Sequence, residues 1–428
     1  MAKLIHASAI RKSALSAALI AMLVSGGAST AAAQGGPVGA QRDARQHGLK
    51  RAWFTQVQLD RGRSRVAGVT LDGNALFIQT TAGALHAIDS ETGRTLWTAQ
   101  VGSPRHPSLV PAANDKWVAS INGSRLYVFD RNTGAAIWDR SLGGSPGAGP
   151  GVTATKVYVP LINGQIEGYK LDPDRSSEPP WSYKAAGRAL VQPVAIGDSV
   201  CWPTDAGHFY VARGDNVGIR FRLETSDDVV CPPAYSAPHF FCASLDGYVY
   251  AVNELSGNQI WRFSTGDPII TSPVAIADRV YALPERGGMY CLDAKTGKEL
   301  WWTPGADKFL SASENRIFAL DRLGRLLILD KKTGGRLASM SADDASLSIA
   351  NQQTDRIYLC SPQGLLQCLH EIGVDEPIQH IQKPTTEKAD GETPQIEQKG
   401  LEDMGDAPDE DDPKEPADDP FGAADPFE

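Results

Sequence analysis

The sequence predicts an all-β fold, an eight-bladed β-propeller closed by a strand from its own N-terminus. Three observations predict it. A strand–turn–strand motif recurs, in full or degenerate form, eight times. A proline landmark upstream of the motif recurs at the same period. A lone strand near the N-terminus is spelled like a blade's outer strand but has no blade of its own.

The motif is clearest at Leu85–Trp97. Leu85 and Ala87 alternate with opposite-facing positions, as a half-buried strand requires. Asp89 is placed to bond the backbone just beyond it, and Thr92-Gly93 supplies a turn in which glycine tolerates positive φ. Trp97 then opens the next strand with a large apolar surface and one N–H donor. The same letters return at Asp130, Thr133, Gly134 and Trp138, and at Asp293, Thr296, Gly297 and Trp301. Asn253, Ser256, Gly257 and Trp261 form a close copy, and Asp330, Thr333 and Gly334 form one with Ala338 where tryptophan belongs. Degenerate copies end near Asp172 (followed by Trp181), Arg213 and His370. The anchors at 89, 130, 172, 213, 253, 293, 330 and 370 step by about 40 residues, the length of a four-stranded propeller blade.

Pro111, Pro150, Pro193, Pro233 and Pro273 each lead an apolar or small-residue run upstream of a motif. Proline donates no ladder hydrogen bond, so it suits the start of a strand. Runs such as Lys156-Val-Tyr-Val159 and Arg279-Val-Tyr-Ala282 lie between proline and motif, and a glycine-containing turn follows them. Each unit thus reads as strand, strand, strand, turn, strand. Unrelated hairpins of a β-sandwich would not keep one spacing over about 300 residues.

Trp53-Phe-Thr-Gln-Val57 repeats the spelling of Trp97-Thr-Ala-Gln-Val101, and the last unit, ending near His370, has no outer strand. Residues 51–59 are therefore expected to complete the last blade, which satisfies two otherwise open sheet edges.

Residues 1–33 have the form of a secretory signal, with Lys3, Arg11 and Lys12, an apolar run from Ala14 to Val24 too short to span a bilayer, and Ala31-Ala-Ala33 for cleavage. Residues 34–50 read as a linker, 51–372 as the propeller and 373–428 as a disordered acidic tail. From Lys383 to Glu428 there are sixteen acidic residues against four lysines, a net of −12, while the whole chain carries −10. The tail holds the acidity and buries too little apolar surface to fold. The near-neutral remainder argues against nucleic acid, which selects a basic face. Near its end, Asp419-Pro-Phe421 and Asp425-Pro-Phe427 are near copies, so Phe421 and Phe427 are candidate partner contacts. Trp181, beside Pro179-Pro180, and Trp302, which breaks the motif beside Trp301, are two more.

None of the six cysteines has zinc-ligand spacing. Cys231 with Cys242, and Cys360 with Cys368, fall on adjacent strands, so disulfides there stay open beside the plainer reading of buried free thiols.

The pattern from Ala87 to Trp97 resembles the tryptophan-docking motif of the pyrroloquinoline-quinone-like repeat propellers, over residues 51–371. The resemblance implies that each docking tryptophan stacks on the next blade near its glycine and bonds a backbone carbonyl there. That family holds quinone-dependent dehydrogenases and non-catalytic scaffolds, among them the propeller subunit of the outer-membrane β-barrel assembly machinery. The dehydrogenases carry two adjacent cysteines over the quinone, and no Cys-Cys dipeptide occurs here. Asp89, Asp130, Asp293 and Asp330 sit at one repeat position, so a turn role explains them all; a catalytic residue would break the repeat. The expectation is an exported, periplasmic or extracellular monomer that binds envelope or secreted proteins, with no catalytic residue, metal or cofactor. The alternatives are a ligand- or glycan-binding propeller and a quinone-dependent dehydrogenase. The chain departs from the assembly subunit in having no cysteine before Cys201 to carry a lipid, and in its acidic tail.

Overall fold

The computed structural model describes residues 41–380, except 61, 198, 215–217 and 343–345. The export signal and the paired phenylalanines Phe421 and Phe427 lie outside the described residues. The strands form eight four-stranded sheets, the blades of an all-β propeller. Blade 1 consists of Val66–Asp72, Ala75–Thr80, Ala84–Asp89 and Thr95–Gln100, each antiparallel to its neighbour. The first strands of blades 2 to 7 begin at Ala112, Gly151, Val194, Ala234, Val274 and Ala306. The five landmark prolines each sit one residue before the first strands of blades 2 to 6, where no ladder N–H is required.

Blade 8 is built from both ends of the propeller. Leu347–Ser348, Ile357–Cys360 and Leu365–Glu371 are its first three strands, and β1 (Leu49–Gln56) is its outer strand. Trp53 pairs with Cys368 and Gln56 with Leu365, so the N-terminal strand closes the ring as the lone Trp53 strand predicts.

The chain ends differ from the linear reading. The segment read as a linker at 34–50 contains α1 (Gln41–Gln46), and β1 starts at Leu49. Ala44 and Leu49 are buried with Phe318, Leu326, Ile328 and Met340 of blade 7 and Ile357, Leu359 and Leu369 of blade 8, which gives this stretch an apolar reason to order. At the other end, the first residues of the tail assigned from 373 stay on the propeller, as far as residue 380. Thr354 bridges Gln379, and His380 Nε2 donates to Ala312 O at 2.8 Å.

The core lies between blades. Trp301, Cys291 and Met289 of blade 6 pack with Phe309, Ile317 and Leu327 of blade 7, and Ile121 and Val128 of blade 2 pack with Val157 and Tyr169 of blade 3. Alternation along each strand therefore gives one face to the blade before and the other to the blade after. The six cysteines are free and buried in these layers. Cys368 lies opposite Tyr358, and Cys360 opposite Leu366, so the strand register does not oppose that pair.

Candidate functional site

The repeated motif builds the joints of the ring. Asp89 Oδ1 accepts the N–H groups of Glu91 (3.1 Å) and Thr92 (2.8 Å) and the Thr92 hydroxyl (2.7 Å). Asp130, Asp293 and Asp330 do the same with Thr133, Thr296 and Thr333. In these three the threonine hydroxyl, then its N–H, holds the carboxyl below its ordinary range. Each turn presents a glycine to the tryptophan of the preceding blade. Gly134 has φ +70°, and a Cβ added there would lie 2.6 Å from Cδ2 of Trp97. Gly93 lies under Trp53, Gly257 under Phe221, Gly297 under Trp261 and Gly334 under Trp301.

An indole N–H completes five of the joints. Trp53 donates to Ser90 O (2.9 Å), Trp97 to Arg131 O (2.7 Å), Trp138 to Leu171 O (3.2 Å), Trp261 to Ala294 O (3.0 Å) and Trp301 to Lys331 O (3.0 Å). In every case the acceptor is the residue just past the end of the next blade's third strand. Strand register shows the same position in all eight blades, filled by Trp53, Trp97, Trp138, Trp181, Phe221, Trp261, Trp301 and Ala338.

This register corrects one partner-contact candidate. Trp181 stands opposite Gly168 at the docking position, packs against Tyr158 and stacks on Tyr183. It belongs to the joint between blades 3 and 4; the carbonyl it would reach, Gly214 O, is taken by the Tyr158 hydroxyl at 2.8 Å. Trp302 is 44% exposed on the rim, beside Tyr290, and remains a surface residue. Phe221 is a docking residue that the tryptophan pattern misses, because only the register reveals it.

In an antiparallel blade the turn between second and third strands and the connection to the next blade leave at one end. The docking turns leave at the other. The end without docking turns carries a row of exposed aliphatic side chains. Leu190, Val230 and Ile270 are 43%, 39% and 48% exposed in the connections into blades 4, 5 and 6. Each follows a buried neighbour, Ala189, Val229 or Ile269, and each lies three residues before a landmark proline, Pro193, Pro233 or Pro273. Ile162 and Leu323, in the second-to-third turns of blades 3 and 7, are exposed on the same end.

The surroundings of the row are acidic. Asp205, Asp227, Asp228, Asp246 and Asp267 lie in the loops of blades 4 and 5 at this end, and Arg188 is paired with Asp205 at 2.6 Å. Desolvation first, then the charges of Asp227 and Asp205, push the Asp228 carboxyl up. Tyr250 donates to Asp246 Oδ2 at 2.6 Å and Ser226 N at 3.0 Å, so that carboxylate is held in place. The proline landmark carried the signal for the row, since its period places an aliphatic residue at one offset in three units.

On the docking-turn end, an open cleft of about 660 Å³ is lined by Lys116, Trp117, Lys156, Leu171, Asp172 and Arg175, among others. Arg175 and Lys170 are both engaged by Glu178, whose carboxyl they hold down at about 2. Among the described residues no group of three or more His, Cys, Asp or Glu is arranged to hold a metal ion.

With this geometry in view, a family model described as outer membrane protein assembly factor BamB matches residues 21–121 and 245–364. A protein of that name from Xanthomonas campestris pv. campestris is 28% identical over 180 residues, which cover 39% of this chain and 40% of that relative's length. The crystal structure of BamB from Moraxella catarrhalis superposes with a TM-score of 0.62 at 17% identity, covering 76% of this chain and 98% of that one. The computationally designed Ika8 protein gives 0.59 at 14% identity, over 74% of this chain and all of that one. At such identities both structures show the shared propeller fold alone.

Proposed function

The chain belongs to the family of the outer membrane protein assembly factor BamB, and on that premise we propose that it is an exported, non-catalytic scaffold that binds a protein partner during outer-membrane protein assembly. The observation that carries this reading is the row Leu190, Val230 and Ile270. Three aliphatic side chains are exposed at equivalent places on successive blades, all at one end of the ring, and a repeated apolar feature of that kind suits an interaction site. The row offers burial; the adjacent Asp227, Asp228 and Asp246 select against acidic partners and orient a partner bearing basic residues. No described helix is long and apolar enough to cross a membrane. Export and a place in the cell envelope rest on the signal-like segment and on the family.

The non-catalytic part of the reading is supported by the joint geometry, in which each repeated aspartate is engaged through Oδ1 by its own turn. The test is recovery of partners from the protein's own envelope fraction, with purified full-length protein as bait. Leu190→Glu/Val230→Glu/Ile270→Glu should reduce recovery at least tenfold with thermal unfolding unchanged. Trp302→Ala and Phe421→Ala/Phe427→Ala serve as parallel arms. Full recovery by the triple variant would refute the assignment of this surface, and saturable uptake of pyrroloquinoline quinone with calcium would refute the scaffold reading.

A further inference from the structure

Beyond Glu371 the chain crosses the docking-turn end of blade 8 and bonds to blades 8 and 7. Ile372 N donates to Gly48 O at 2.9 Å, fastening the start of the segment to β1. Val374 O accepts from Arg356 Nη1 at 3.1 Å, and Asp375 O accepts from Nη2. Ile378 N donates to Asp355 Oδ1 at 2.9 Å. His380 N donates to Gln353 O at 2.8 Å, and its ring reaches Ala312 at the end of the first strand of blade 7.

Arg356 and Asp355 are only 2% and 1% exposed in their side chains. The guanidinium also donates from Nε to Glu91 Oε2 at 3.1 Å, in the docking turn of blade 1, and from Nη1 to the Asp355 carboxylate at 3.4 Å. Gln353 adds a second tie to blade 1, accepting from Gly73 N at 2.9 Å and donating to Leu71 O at 3.2 Å. The buried guanidinium thus has donors whose acceptors are supplied by residues 374 and 375. Withdrawing those carbonyls leaves buried guanidinium N–H groups short of acceptors, a costly loss even though Glu91 and Asp355 still balance the charge.

We propose that residues 372–380 are a clasp that locks the closing blade to blades 7 and 1, with Arg356 as its buried pin. β1 closes the sheet of blade 8, and the clasp holds that blade in the ring. The ring is therefore fully shut only once the C-terminal segment is seated, and whatever removes that segment loosens the propeller at blade 8 first.

The test is amide hydrogen exchange on the full chain, comparing the wild type with Ile378→Pro and Arg356→Met. Ile378→Pro deletes one N–H on a half-buried residue; Arg356→Met removes the pin. The expected result is at least tenfold faster exchange in residues 49–56, 357–371 and 88–94, with blades 3 to 5 unchanged. Unchanged exchange in Ile378→Pro and in any folded Arg356→Met would overturn the clasp. So would equal acceleration in all eight blades, which marks a global loss of stability.

Discussion

Gly134→Ala tests the joint most directly. The glycine has φ +70°, and the new methyl would sit 2.6 Å from both Cδ2 and Cε3 of Trp97. Ordinary carbon contacts need ~3.5–4.0 Å, so the indole must retreat by about 1 Å. Trp97 is 8% exposed and wedged beside Phe77, so retreat compresses the layer behind it, a cost of ~1–3 kcal/mol for overpacking. The bond from Trp97 Nε1 to Arg131 O, now 2.7 Å, stretches out of range and loses ~1 kcal/mol. Left-handed backbone at alanine adds ~1–2 kcal/mol. The smaller entropy of the unfolded alanine chain returns ~0.4–1 kcal/mol. The net loss is about 3–5 kcal/mol. Gly324→Ala is the control, because its φ is +74° and nothing lies within 4 Å of the added Cβ. That variant should lose no more than about 1.5 kcal/mol, from backbone strain alone. Urea unfolding followed by far-ultraviolet circular dichroism measures both. In a Trp97→Ala background, itself about 3–5 kcal/mol less stable, Gly134→Ala should cost no more than the control. A Gly134→Ala loss within about 1 kcal/mol of the Gly324→Ala loss would refute the stacking argument.

Two further outcomes follow from the same geometry. Asp130, Asp293 and Asp330 have depressed carboxyl pKa values in the folded chain, so their contribution is complete above the unfolded value, about pH 4, and is lost as pH falls through the folded values. Thr133→Val/Thr296→Val/Thr333→Val should therefore melt below the wild type by a constant gap from about pH 6 to 8 that narrows as pH falls below about 4; a gap independent of pH down to about pH 2 contradicts this account. The cysteines are expected to resist an aromatic disulfide reagent in the native protein, since burial pushes the Cys231, Cys291 and Cys360 thiols up to about 12. All six should react in denaturant without reductant, and fewer than six would show that a disulfide had formed.

The fold was legible because each letter of the motif has a separate physical task. Aspartate ties the turn, threonine holds the aspartate, glycine leaves room for the ring, and tryptophan fills it. Spelling failed where another residue could do the same task. Phe221 still stacks on Gly257 but gives up the indole hydrogen bond, and Trp181 keeps its place after a longer loop while Tyr158 takes the hydrogen bond. The clasp was illegible for a different reason. Residues 372–380 bond mainly through their backbone, and backbone bonds leave little trace in residue type. The row Leu190, Val230 and Ile270 was hidden because exposure depends on where a connection leaves the ring, which a linear pattern does not state.

Ala338 looks like a decayed copy of the docking tryptophan, but its place in the ring gives it a reason. Blade 8 takes its outer strand from the N-terminus, so no turn joins its third strand to β1. With no such turn, the positive-φ glycine just before β1, Gly48, faces the Arg316 guanidinium of blade 7, 3.1 Å from where a Cβ would sit, so an arginine and not an indole covers it. A tryptophan at 338 would therefore have no seat. The apolar layer is completed instead by Ala44 of α1 and by Leu49, which pack with Ile328 and Met340 of blade 7, while Arg316 of that blade donates to His47 O at 3.4 Å and pairs with Glu371 at 3.2 Å. The missing tryptophan, the ordered helix in the expected linker and the C-terminal clasp are thus answers to one problem. A ring closed by its two chain ends lacks one of its eight repeated joints, and the sequence on either side of the break supplies the replacement.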